Sequence, residues 1–235
     1  MNMNKSWLLI ILISSMLIVQ GCMPGERTDS KEERILASLD EQLLKAAEIK
    51  DTEGIVKLLQ EGANVQAQDQ NGRTALMIAT YNHDTASAQK LIEAGADVNL
   101  QDDMLNSPFL YAGAEGDLDI LKLTIQAGAD PSITNRYGGT ALIPASEHGY
   151  VEVVRELLTQ TSVNVNHVNR LGWTALLEAI ILNDGNERQQ ETIELLIHHG
   201  ADVNLADGDG VSPLRHAKAK GFKEIEALLI QAGAK

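Results

Sequence analysis

Two stretches of the chain carry residue types able to do chemistry. His198 and His199 stand side by side before Gly200, and imidazole pairs bind zinc. Consecutive helix residues point about 100° apart, so these rings cannot share a face as residues i and i+4 do. The pair is expected at an exposed helix end. The run Asp207-Gly208-Asp209-Gly210-Val211-Ser212 has a superficial look of a calcium loop. It lacks the spaced acceptors and closing glutamate of one, and reads as a turn. There is no His-Glu-x-x-His, no Gly-x-Ser-x-Gly and no phosphate-cradling glycine loop. The sequence therefore calls for no catalytic residue, no metal and no cofactor, and the expectation is a non-enzyme. Cys22 is the only cysteine in 235 residues, which excludes an intramolecular disulfide framework and a Cys-rich zinc site.

The place of Cys22 is informative. Lys5 precedes an apolar run from Trp7 to Val19, which suits the apolar region of a secretory signal and is too short to span a bilayer comfortably. Gly21 supplies the small residue that cleavage needs. Val19-Gln20-Gly21-Cys22 resembles the lipobox of bacterial lipoproteins, with Val19 a mild departure from the usual Leu and Gln20 a larger one. The resemblance implies a diacylglycerol on the Cys22 thiol and cleavage after Gly21. The chain would then be lipid-anchored in the cell envelope, facing the periplasm or the outer face of the cytoplasmic membrane. Each buried acyl methylene contributes about 0.8 kcal/mol to such an anchor. The alternative is an ordinary secretion signal with an incidental cysteine. Met23 is not the Asp that retains lipoproteins at the inner membrane of Gram-negative cells. It also offers an internal start that would give a minor cytosolic form, although its plain reading is the residue after Cys22. Residues 1–21 are thus expected as signal peptide and 22–37, with Pro24, Gly25 and many charges, as lipidated cysteine and polar tether.

The remainder repeats. Gly62, Gly95, Gly128, Ser162, Gly200 and Gly233 open similar short motifs at steps of 33, 33, 34, 38 and 33 residues. A second marker keeps the same pace at Thr74, Ser107, Thr140, Thr174 and Ser212, each followed by a small residue or proline and an apolar one. Two markers with one period identify a repeat array, in which no unit buries its own apolar face and stacking makes a continuous core. The hydroxyls stand where they can cap the first helix of each unit, with Pro108 and Pro213 at a place that tolerates a missing amide. Ala79, Ala112, Ala145, Ala179 and Ala217 recur in that helix, small enough for close approach, and aliphatics crowd the second helix. This accounts for a chain that is 44% hydrophobic and only 3% aromatic.

These motifs resemble ankyrin repeats over residues 38–235. The resemblance implies an all-α solenoid of about six helix-turn-helix units joined by short β-hairpin loops, with units near 38–68, 69–101, 102–134, 135–168, 169–206 and 207–235. The first and last units read as caps. Departures are visible. The family's His is replaced by Met77, Leu110, Ile143, Leu177 and Arg215. Leu105 stands where Gly72, Gly138, Gly172 and Gly210 fill the turn, which predicts a distorted hairpin. Pro144 lies early in a first helix, where it removes a hydrogen bond. Extra residues at 183–190 predict a surface loop between the helices of the fifth unit.

By register, the resemblance places a partner-binding surface on the hairpin tips and first helices, with Tyr81, Asp103, Arg136, Tyr137, Glu147, His148, Arg170 and Trp173 as its candidates. Arg136, Tyr137, Arg170 and Trp173 are residue types that dominate interfaces and form a candidate anchor cluster; Trp173 packing on the next hairpin is the alternative. The net charge of −14 repels phosphate backbones, so nucleic acid is excluded as a partner. The lipobox and the repeat array together imply a membrane-anchored module that binds another protein and is monomeric when unbound. It is similar to bacterial ankyrin lipoproteins that act as immunity proteins against secreted toxins, phospholipase effectors among them. A second resemblance, to envelope ankyrin proteins that support periplasmic catalase and oxidative-stress resistance, implies a scaffold instead.

Overall fold

The computed structural model describes residues 26–235, so the apolar run, Cys22 and the rest of the expected signal lie outside the described residues. The described part contains twelve helices: α1 (Glu26–Glu48), α2 (Thr52–Gln60), α3 (Ala75–Tyr81), α4 (Thr85–Glu93), α5 (Pro108–Glu115), α6 (Leu118–Gln126), α7 (Leu142–Glu147), α8 (Val151–Gln160), α9 (Ala175–Ile181), α10 (Glu187–His198), α11 (Pro213–Lys220) and α12 (Lys223–Gln231). They form six antiparallel pairs. Odd-numbered helices pack on odd and even on even, giving an inner and an outer layer. The helix expected to begin near residue 38 begins at Glu26, so much of the stretch expected as tether is helical, and residues 32–37 of it are exposed. Among the described residues no helix is long and apolar enough to cross a membrane.

The inner layer is built on small residues. Ala47, Ala79, Ala112, Ala145, Ala179 and Ala217 are all fully buried. A Cβ added at Gly113 would come within 2.9 Å of the Ala141 Cβ, which shows how closely α5 and α7 approach. Ile55, Leu91, Ile120, Leu157, Ile193, Leu196, Ile225 and Leu229 seal the outer layer. Each unit lends its apolar face to the next, as stacking requires.

Thr74, Ser107, Thr174 and Ser212 cap their helices as expected, each hydroxyl accepting from the backbone N–H three residues on. Such a cap contributes about 1 kcal/mol. Thr140 does not. Its hydroxyl is buried without a partner, and α7 is the shortest of the helices, with no side-chain cap. Pro144 is the cause. It has no N–H for the Thr140 carbonyl, so the Ile143 N–H bonds that carbonyl (3.2 Å) and is lost to the hydroxyl.

The connections are turns rather than the expected β-hairpins. A single isolated bridge, Gln68 with Thr74, is present among the described residues. Each tip is instead held by one Asx side chain. The Oδ1 atoms of Asp69, Asp102, Asn135, Asn169 and Asp207 each accept from the N–H groups two and four residues on, at 2.8–3.0 Å. The tip at Leu105 keeps this geometry, against the expected distortion, because Leu105 itself adopts φ 57°. The strain stays in one residue.

At the opposite ends a carboxamide ladder joins neighbours. Gln66, Asn99, Asn166 and Asn204 each donate to a glycine carbonyl of the next unit and accept from an N–H two residues beyond it. Ser132 stands in that register between the third and fourth units and is too short to reach across. Tip-to-tip bonds also join the second to the third unit (Asp103 N–H to Asn71 O, 3.1 Å) and the fourth to the fifth (Arg170 N–H to Tyr137 O, 3.0 Å). Between the third and fourth no such backbone bond is present among the described residues; the Gln101 side chain, which reaches the Thr134 carbonyl (2.9 Å), links the second unit to the third.

Candidate protein-binding groove

The third position of each tip points the same way along the array. It is held by Asn71, Met104, Tyr137, Leu171 and Asp209. The three central residues are large, apolar and exposed, at 49%, 56% and 59%. Beside this row, α5, α7 and α9 floor a groove of about 450 Å³ whose apolar walls include Tyr111, Ile143, Pro144, Leu171 and Leu182. Three carboxylates, Glu115, Glu147 and Glu178, line it as well. None of the three is in an ion pair among the described residues.

Of the eight candidate partner-binding residues, Arg136, Tyr137, Glu147 and His148 line this groove. The Arg136 guanidinium lies over the Tyr137 ring, 4.8 Å from its centre. Arg170 is occupied structurally: its Nη1 donates to the Arg136 carbonyl at 2.6 Å. Trp173 is half-buried and does not line the groove, so the expected four-residue cluster is reduced to two groove residues and a supporting arginine. Asp103 is exposed on the tip of the third unit. Tyr81 is half-buried and tied down, donating to Asp102 Oδ2 (2.6 Å) and accepting from Asn106 Nδ2 (2.9 Å), with its ring edge-on to Tyr111. Burial, with the bond to Asp102, pushes its hydroxyl up to about 12.

Glu178 is the residue that motif searching missed. It is 5% exposed. Its Oε1 accepts from Asn169 Nδ2 at 2.7 Å, tying α9 to the tip. Burial, then repulsion from Glu147, pushes its carboxyl up to about 7, and the bond from Asn169 opposes them. A signal was available: Glu178 takes the register place of Ile78, Tyr111, Pro144 and His216, four residues after the cap. His216 makes the equivalent tie, with Nε2 2.7 Å from Asp207 Oδ2. The carboxylate suspected of calcium binding is thus consumed by its own turn. His198 is exposed at the end of α10, and the His198 and His199 rings lie 76° apart. The extra residues of the fifth unit are partly absorbed into α10, which is 12 residues long. Asn183 and Gln189 from this segment both donate to the Glu147 carbonyl, bracing the end of α7 beneath the groove.

A family model described as ankyrin repeats (3 copies) matches residues 17–102, 43–134 and 109–207. The chain belongs to the ankyrin-repeat family. It is similar to an ankyrin repeat domain (ABAYE2397) from Acinetobacter baumannii AYE, with 54% identity, a TM-score of 0.80, and coverage of 82% of this chain and 98% of that one. The ankyrin repeat protein EF0377 is similar at 40% identity and a TM-score of 0.79, over 82% of this chain and 98% of that one. The putative ankyrin repeat protein YahD of Escherichia coli (strain K12) is 52% identical over 99 residues, 42% of this chain and 49% of that protein, so the match spans about half the relative's length. Ankyrin repeats are in general non-enzymatic modules that bind other proteins.

Proposed function

We propose that the chain is a protein-binding module of the bacterial cell envelope, held by a lipid on Cys22, that takes its partner along the groove of the third to fifth units. The observation that carries this is the exposed row Met104–Tyr137–Leu171 beside the groove. Single exposed apolar side chains are ordinary, but an aligned row flanked by polar Asn71 and Asp209 marks an interaction site. The finer reading is an immunity protein that binds and neutralises a secreted antibacterial toxin such as a phospholipase effector. A net charge of −14 supports it, since an acidic surface steers a basic toxin toward the groove and speeds association.

The test pairs the chain with a secreted phospholipase of its own bacterium. Cells expressing the lipase in the periplasm should die without this chain and survive with it. Tyr137→Ala with Leu171→Ala should abolish protection while leaving expression and helix content unchanged. A lipase harmless to cells lacking the chain would end the immunity reading. Capture of a catalase by the intact chain but not the double variant would replace it with envelope support.

A further inference from the structure

We propose that the groove between α5, α7 and α9 is a pocket for one arginine side chain of the partner, its guanidinium seated on Glu178 and Glu147 and its stem held by Tyr111 and Leu182. The inference rests on the protein-binding reading and names the chemistry that the partner must present. Three observations carry it. First, Glu178 is a carboxylate 95% removed from solvent that has only half its bonding met. Oε1 takes the Asn169 amide, whereas Oε2 has no donor among the described residues and is not sealed off from the groove. A carboxylate kept so is costly unless a cation or donor meets it. Second, Glu147 lines the same groove and its charge repels that of Glu178. A cation between them relieves both the repulsion and the desolvation. Third, the groove's own basic side chains do not serve. Arg136 lies over Tyr137, and neither it nor His148 is in an ion pair with a groove carboxylate among the described residues.

Charge selects a cation, and shape selects arginine. The groove of about 450 Å³ is walled by the Tyr111 ring, Pro144 and Leu182, which suits a three-methylene stem and a planar head that stacks on aromatic faces. A guanidinium also spans two carboxylates with its fork of donors, whereas an ammonium is a point charge that desolvates less readily.

A competing account holds that Glu178 only ties α9 to the tip through Asn169, as His216 meets Asp207. Glu178→Gln separates the two, because the amide oxygen still accepts from Asn169 Nδ2 while the charge is lost. The probe is N-acetyl-arginine methylamide, titrated at pH 8 into the full chain in detergent micelles and followed by the methyl resonances of Leu171 and Leu182. The neutral isostere N-acetyl-citrulline methylamide serves as control. Saturable shifts are expected with the arginine probe, weakened about tenfold or more with citrulline and in Glu178→Gln, the loss that removing one charge-assisted hydrogen bond brings. Equal binding of citrulline, undiminished binding to Glu178→Gln, or no saturable binding at all would overturn the proposal. Protection from a toxin that survives Glu178→Gln while the probe fails would sink the arginine pocket alone. Probe binding without any protein partner would sink the protein-binding reading alone.

Discussion

Replacing Glu178 by Gln should make the protein more stable at pH 8. The carboxyl sits at about 7 in the fold against 4.5 when free, a shift of about 2.5 units. At about 1.4 kcal/mol per unit this amounts to roughly 3 kcal/mol. The sign comes from proton counting. A raised folded value means that the native state holds a proton which the unfolded chain has released between pH 4.5 and 7. The contribution is fully present below that window and is lost as pH rises through it. Above pH 7 the wild type carries the whole cost of a buried charge. Gln has no such titration and keeps the bond to Asn169. Urea unfolding at pH 5 should therefore find the two proteins within about 1 kcal/mol, and at pH 8 should find the variant ahead by about 2–3 kcal/mol. Its thermal midpoint at pH 8 should be higher by roughly 4–12 °C. Equal stability at pH 8, or a wild-type pH slope retained in the variant, would refute the argument that Glu178 is held against its preference.

The unpaired Thr140 hydroxyl gives a second test. Thr140→Val should cost almost nothing, whereas Thr174→Val should cost about 1 kcal/mol through its lost cap. In a Pro144→Ala background the restored N–H frees that of Ile143, and Thr140→Val should then cost about 1 kcal/mol as well; an additive double-mutant cycle would refute the proline account. Leu105→Gly should stabilise by about 0.5–1 kcal/mol, the relief of a left-handed leucine less the entropy of an added glycine, read from urea midpoints. Asn166→Ala should destabilise by about 1–3 kcal/mol and raise amide exchange at Asp202, because it strips one buttress between the fourth unit and the fifth.

The sequence made the repeat legible because each unit must solve the same problem. Caps, small inner residues and turn glycines recur at one period, and the structure shows them where the register puts them. It misled where one residue alters its neighbour's bonding. Thr140 is identical to Thr74 as a motif, and only the missing N–H of Pro144 denies it a donor. Leu105 reads as a broken turn, yet the Asp102 side chain enforces the tip and the leucine yields. The groove was half legible. Register points to Arg136, Tyr137, Glu147 and His148, whereas residue type alone favours Trp173 and says nothing of direction. Glu178 escaped because a lone glutamate in a short helix reads as solvated; its burial depends on α7 and on the tip that fold over it. The row Met104–Tyr137–Leu171 is visible only when the tips are aligned by their Asx residue.

The place where Ser132 interrupts the carboxamide ladder also has the uncapped start of α7 and no tip-to-tip backbone bond among the described residues. The array is therefore a rod with a weak joint at its middle. In a chain of stacked units, load passes from neighbour to neighbour with no way around a poor interface. Pulled end to end, the rod should part first between its third and fourth units. The groove straddles that joint, so tension would tear the site in two and release its occupant before either half of the rod lost its own fold.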